Sequence, residues 1–562
     1  MLVFFWSKEE KTQVVFRSQS APNYDDSRLG ELGMSAIDAS LKRRRGGRKA
    51  RIATRAAPLA NDVRPVWPGM SSDRYQPLTS GDMGNIHTAI LDILETVGMA
   101  DAIPTCIDAI TGVGGFINDK GRLCFPKALI EDTIASANHA FALCGQTPDR
   151  DLEPWGNKVY FGTGGAAVHI VNPTSGAYRD STLSDLYDMA RIVDRMEHIH
   201  FFQRPVVARD ITGGFDLDVN TAYACVMGTT KHVGTSFVSP ESTEATLKML
   251  HVIAGGAEKW RARPFVSQSN CFVVPPMKFA VDACRCLEVA VHGGMPILLL
   301  SAGQAGATAP ASLSGTVVQA WAEVLVGLVY VNALKPGAPA ICGTWPFVSD
   351  LRTGAMSGGS GEQALLMSAC GQMGGYYKLT TGVASAMTDA KVPDVQAGYE
   401  KGYSHALVGN SGANLVYEAA GMHASLLGAC KESLVIDNDL IGAVQRTIRG
   451  IDTSVDALSV DIIRQVCEQG PGHYLGHEQT LDLMERDYVY PALFDRSSPN
   501  EWAAAGSPML LDRAIQKTNE ILESHYPAHV SEAADSTIRS MLNIKLSKEA
   551  VFENGAGMPG KG

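Results

Sequence analysis

Three stretches carry polar and aromatic groups that a hydrophobic core does not need. They are PAICGTWPFVSDLRTG from Pro339, LTTGVASAMTDAKVPDVQAGYEKG from Leu379 and ANLVYEAAGMHAS from Ala413. Each passes from an apolar run into a polar loop, and such loops after parallel strands are where α/β enzymes keep their sites. Trp345, Phe347 and Tyr417 beside Glu418 suit a small cation, because ring faces attract positive charge and a carboxylate balances it. Trp345 and Phe347 also fit a second role, as core aromatics capping a barrel. Asp389 and Lys391 at i,i+2 read as an acid–base pair or as a structural ion pair. Asn270 and Gln304 end two further strand patterns, alongside Gln203, Arg204, His232, Ser236 and Ser301.

Other chemistries lack their residues. No H-E-x-x-H, G-x-S-x-G or Walker loop occurs. The Gly-rich GAMSGGSGEQ from Gly354 has no lysine in the phosphate position. Its Gly358, Gly359, Ser360 and Gly361 read as a tight backbone loop facing a flat cofactor. His473 and His477, at i,i+4, have no third ligand near them and read as a structural pair rather than a metal site. No metal is expected.

The 562 residues are 45% hydrophobic and 19% charged, ordinary for a folded soluble chain. A net charge of −11 argues against a nucleic-acid binder. Eleven cysteines, scattered through apolar runs without zinc spacing, read as buried reduced thiols of a cytoplasmic protein. No apolar run reaches the roughly 18–20 residues of a membrane span, and the opening MLVFFW is cut short by KEEK. Translation starts at Met1 or at Met34.

These groups need a frame to hold them. Residues 1–60 read as a basic arm, with Lys42, Arg43, Arg44, Arg45, Arg48, Lys49, Arg51 and Arg55 clustered for an acidic partner or a neighbouring subunit. Residues 61–150 read as a helical region, with Thr79 or Ser80 capping a helix to about Val97. From Val159 short strands alternate with helical patterns. Strands fall near 159–171, 199–207, 232–238, 265–274, 296–301, 339–343, 379–385 and 413–417. That alternation predicts an α/β fold, a (β/α)8 TIM-type barrel over 151–430, with an open doubly wound sheet as the alternative. A C-terminal helical extension fills 431–530, and 531–562 reads as a tail.

Eight long motifs resemble one family. HFFQRPVVARD, GTTKHVGTSFV, SAGQAGATAPA, GTWPFVSDLRTGAMSGGSGEQALL, DAKVPDVQAGYEKGY, GANLVYEAAGMHASLL, ESLVIDNDLIGAVQRTIRGI and GPGHYLGHEQTL are similar to the trimethylamine methyltransferase family of corrinoid-dependent enzymes. The resemblance runs from about Lys42 to about Tyr526. It implies a barrel that moves a methyl group from a methylamine to the Co(I) corrinoid of a separate protein, with no cofactor bound permanently. Archaeal trimethylamine members carry pyrrolysine, and this chain has none. Members lacking it resemble glycine betaine methyltransferases, so a quaternary amine is the expected substrate, with trimethylamine or another methylated amine as the alternative. A binding protein without activity is a further alternative. Quaternary nitrogen already carries the charge that makes a tertiary amine a good leaving group, so the pocket needs no general acid. Arg352, Lys391 or His423 would hold the carboxylate of a betaine. The partners implied are the amine and the cognate corrinoid protein, without nucleic acid or membrane, and a barrel of this size is expected to form a homo-oligomer.

Overall fold

The computed structural model describes residues 76–552, except Pro471. The basic arm and both candidate start sites lie outside the described residues. Eight parallel strands form the centre: β1 (Tyr160–Phe161), β2 (Phe201–Gln203), β3 (His232–Thr235), β4 (Val266–Asn270), β5 (Ile297–Ser301), β6 (Ala340–Thr344), β7 (Thr381–Ala384) and β8 (Leu415–Tyr417). They pair in chain order from β2 to β8, and β8 then pairs with β1. A parallel bridge between Gly162 and Phe201 closes the ring. The fold is therefore the (β/α)8 barrel and not the open sheet.

A helix follows each strand: α1 (Leu183–Asp194), α2 (Gly214–Gly228), α3 (Pro240–Ala254), α4 (Val281–His292), α5 (Leu313–Leu334), α6 (Gly361–Tyr377), α7 (Val395–Gly409) and α8 (Lys431–Arg449). Their starts are written locally. Thr182 and Asp185 form a capping box on α1, and Ser239, Ser312, Ser360 and Asp394 cap α3, α5, α6 and α7. Helix α5 corrects one expectation, for it is long and apolar enough to cross a membrane. Gln319 and Glu323 interrupt its apolar run without making the helix polar. It is instead a buried core helix, packed against the N-terminal helices Ser80–Thr96, Pro104–Gly112 and Lys127–Ser136.

Paired residues of parallel strands point to the same side, so the register sorts the side chains. Phe201, Gln203, Ser267, Leu298 and Ile341 share one face, and glycines on that face leave them room. A Cβ at Gly162 would lie 2.2 Å from the Phe201 ring, and one at Gly382 would lie 2.8 Å from the Tyr417 ring. This is the barrel interior. The other face, with Leu299 against Gly327 of α5, packs on the helical shell.

The C-terminal region is more ordered than a tail. Two helices, Glu532–Met541 and Lys548–Val551, occupy residues expected to be free. Asp535, fully buried, accepts from the Tyr223 hydroxyl of α2 and from Arg539.

Candidate active site

Three rings meet in the barrel, Trp345 and Tyr417 from the C-terminal ends of β6 and β8 and Phe201 from the start of β2. Phe201 and Tyr417 lie 4.8 Å apart between centroids, and Tyr417 and Trp345 lie 5.3 Å apart. Trp345 keeps the alternation of Ile341 and Gly343 because its N–H still donates to Ser301 O, at 2.9 Å. All three rings are buried. Among the described residues the Trp345 Nε1 has no hydrogen-bond partner.

Glu418 follows Tyr417 and breaks the strand. Its φ is +58°, a left-handed conformation that costs a non-glycine residue about 1 kcal/mol. Gly164 makes this possible, since a Cβ there would lie 2.9 Å from both the Cγ and the backbone nitrogen of Glu418. The carboxyl is buried, and among the described residues its Oε2 has no hydrogen-bond partner. Burial alone pushes its pKa up to about 8. Glu323 of α5 makes the contrast: equally buried, it accepts from Met277 N (2.8 Å), Ser301 Oγ (2.6 Å) and Gln319 Nε2 (3.1 Å).

The loop carrying Glu418 is pinned from behind by α7 and α8. Burial lowers the His405 pKa to about 3, so the ring is neutral. Its Nε2 donates to Ala419 O at 3.0 Å, and its Nδ1 accepts from Ser385 Oγ at 3.0 Å. The Asp437 carboxylate accepts from Gly421 N (2.8 Å) and from Lys401 Nζ (2.6 Å). Lys401 and Asp437 are each 3% exposed.

Two polar side chains, Gln203 of β2 and Ser267 of β4, also lie on the inward face. Arg204, at the end of β2, is buried with no carboxylate in ion-pair range. Its Nη2 donates to Ser236 Oγ at 3.0 Å, and its Nε is unpartnered. Burial lowers the pKa of its guanidinium.

Several expected site residues lie elsewhere. Arg352 is 88% exposed and bonded to Asp350 at 2.8 Å. Lys391 is exposed, and its Nζ bonds the backbone carbonyl of Asp389 rather than the carboxylate. The Asp389 carboxylate accepts from Ser357 (3.0 Å) and Ser425, tying two loops together, so the acid–base pair is not formed. His423 is buried in a two-residue strand outside the barrel, with Nε2 on Ser433 Oγ at 2.8 Å. Asn270 donates to Ala283 O of α4 at 3.0 Å, turned toward the shell. Gln304 and Phe347 pair in a two-stranded ribbon on the rim.

Gly358 and Gly359 pack closely against Met387 and Glu400. A Cβ at Gly358 would lie 2.8 Å from Met387 Cβ, and one at Gly359 would lie 2.2 Å from Glu400 Oε2. Ser360 caps α6, and only Gly361 of the four has open space. His477 caps Glu478–Arg486 and His473 precedes that helix, so the two do not share a helical face. Among the described residues no cluster of potential metal ligands occurs, and all eleven cysteines are unpaired.

Sequence reading passed over Gly164 and the Lys401, His405 and Asp437 anchors. The GTGG run after β1 was the signal for the first. The anchors lie on helices and carry no local signal.

The rim loops are interlocked. Ala424 N donates to Ala390 O and Ser425 N to Thr388 O, each at 2.9 Å, through three consecutive left-handed residues, Ala424, Ser425 and Leu426. Leu351, Val395, Tyr399 and Leu427 stand exposed on these loops and on the start of α7.

A family model described as trimethylamine methyltransferase matches residues 44–548. A trimethylamine methyltransferase of Desulfitobacterium hafniense is 30% identical over 458 residues, 81% of this chain and 91% of that one. Its counterpart in Methanosarcina barkeri is 32% identical over 454 residues, 80% and 90%. A glycine betaine methyltransferase of Desulfitobacterium hafniense is 26% identical over 477 residues, 84% and 98%. Among solved structures, the Methanosarcina barkeri monomethylamine methyltransferase aligns with a TM-score of 0.47 at 12% identity, covering 80% of this chain and 89% of that one.

Proposed function

Since the chain belongs to the trimethylamine methyltransferase family and is a methyltransferase, we propose that it moves a methyl group from a small methylated ammonium, trimethylamine first, to a corrinoid carried by a partner protein. The observation that carries this reading is the buried, unpartnered carboxyl of Glu418, the residue that follows Tyr417 in the run of Phe201, Tyr417 and Trp345 rings. Relatives named for trimethylamine at 30–32% identity support the substrate. The partner is supported by apolar side chains exposed on the rim, where a second protein bearing a flat cofactor could seat.

When delivered, the corrinoid supplies a Co(I) nucleophile that accepts the methyl group. The work of this chain is binding and aim. The ring faces hold the cation without a directed bond, and the walls keep it dry. A tertiary amine arrives as its conjugate acid and already holds the proton its departing amine needs. Glu418 faces that N–H and turns an N–CH3 axis toward the open end of the barrel.

A second reading, a betaine, is favoured by Arg204, a buried guanidinium whose Nε has no partner among the described residues. Arg352, Lys391 and His423 do not fill that role, being exposed or bonded elsewhere. Purified protein with free cob(I)alamin, offered trimethylamine, tetramethylammonium and glycine betaine in turn, tests both readings. Spectral conversion with trimethylamine supports the first, and conversion with glycine betaine alone supports the second. No conversion with any amine, with either free or protein-bound corrinoid, overturns both.

A further inference from the structure

A buried carboxyl with no hydrogen-bond partner among the described residues has a function to explain, because proteins bond nearly all such groups. Glu418 is held there at a conformational cost. Its left-handed φ of +58°, the bare Gly164 behind it and the Asp437 and His405 anchors on its loop all fix its place. None of them neutralises it. The charged or titratable side chains on the packed elements are Tyr417, His405, Lys401, Asp437, His423 and Arg204. Lys401 is spent on Asp437, His405 on Ala419 and Ser385 and His423 on Ser433, while Arg204 bonds Ser236 through Nη2 and is not bonded to Glu418. The Tyr417 phenol is neutral, its pKa raised by burial. With no cation and no donor bonded to it among the described residues, Glu418 stays protonated in the empty site.

We propose that Glu418 is a charge switch: it is a neutral acid in the empty site and a carboxylate once a methylated ammonium is seated against Tyr417 and Trp345. Each binding event then releases one proton to solvent. The balance is simple: the carboxyl and the free ammonium become a carboxylate–ammonium pair plus a solvent proton, and no other bond changes. The inference rests on the amine reading above and deepens it. Glu418 carries no charge in the empty site, yet charge is created there when the right ligand arrives. A neutral molecule of the same shape cannot drive that ionisation, so the switch selects for cations. Burial alone raises this carboxyl to about 8, which places the switch at neutral pH.

Tetramethylammonium is the probe, because its charge is fixed and it cannot itself exchange a proton. Calorimetric titration in phosphate and in Tris, whose ionisation heats differ, counts protons per binding event. Close to one proton is expected at pH 6.5 and close to none at pH 9.5. Affinity should rise about tenfold per pH unit below about 8 and level off above it. Infrared difference spectra should show loss of a protonated carboxyl band when tetramethylammonium is added, and this readout needs no variant. In Glu418→Gln both the proton and the band should vanish, with affinity at least tenfold weaker. Binding without proton release or band loss overturns the proposal, as does undiminished proton release by Glu418→Gln. Absence of tetramethylammonium binding at any pH also overturns it. Proton release without methyl transfer would keep the switch and defeat the proposed function, and transfer without proton release would do the reverse.

Discussion

In the proposed function Trp345 and Tyr417 hold the amine by ring face alone, so their contribution divides cleanly by substitution. Trp345→Leu keeps an apolar side chain and removes the face. The expected outcome is about a tenfold rise in the KM for the amine, near the 1–2 kcal/mol of a desolvated cation–π contact. Tyr417→Phe keeps the ring and loses a hydroxyl with no assigned partner, so KM should stay within about threefold. Steady-state kinetics of both variants checks this, and equal losses would reject the cation–ring account. At this scale the sequence singles out Trp345, Tyr417 and Glu418, and the structure brings the rings of Trp345 and Tyr417 together with Glu418 next in the chain. Asp389, Lys391 and Arg352 were misread for a physical reason. A polar loop residue looks the same whether it turns into the barrel or binds its neighbouring loop, and only the fold distinguishes Ser357 and Ser425 from a substrate.

The elements that serve the site are β8 and the two helices behind it. Lys401 of α7 and Asp437 of α8 form a buried pair that also holds Gly421 N. Removing one partner strands a charge in a dry interior. Asp437→Asn or Lys401→Met should each cost about 3–5 kcal/mol, whereas the double change to Met and Leu should recover part of that loss. Denaturant melts give the stability terms. Persisting loss of amine affinity in the refolded double variant would show that the pair also positions the Glu418 loop. The barrel strands and helices were legible from apolar periodicity, since each one repeats the same strand–loop–helix grammar. The C-terminal helix Glu532–Met541 was not, because its anchor is Asp535 on Tyr223, 312 positions away in sequence.

The whole molecule should feel its buried acids in opposite ways. Folding raises the Glu418 pKa to about 8, so the native state binds a proton that the unfolded chain releases. Its contribution is present at low pH and is lost as pH rises from roughly 4 toward 8, on the order of a few kcal/mol. Asp194 and Asp185 run the other way. Burial pushes both carboxyls up. His525 and Thr230 on Asp194, and Arg179 and Lys431 on Asp185, more than reverse this and leave both well below the usual range. Their contribution is present above about pH 4 and is lost on acidification. Thermal melts across pH 3–9 should therefore peak on the acid side of neutrality. The alkaline fall should flatten in Glu418→Gln while the acid limb stays. An unchanged alkaline limb would mean that Glu418 is not the group responsible.

The three left-handed residues at Ala424, Ser425 and Leu426 work as a wound spring against the rim. Each side chain there sits in a conformation glycine would take freely, and the tension is borne by hydrogen bonds to Thr388, Ala390 and Asp389. Ala424→Gly or Leu426→Gly should relax that spring and raise the melting temperature, offset in part by the greater freedom of glycine in the unfolded chain. A hardier but slower enzyme would be the result, because the wound loop keeps the 388–391 segment in register beside the mouth. Natural chains that tolerate heat at this position would be expected to have traded turnover for slack.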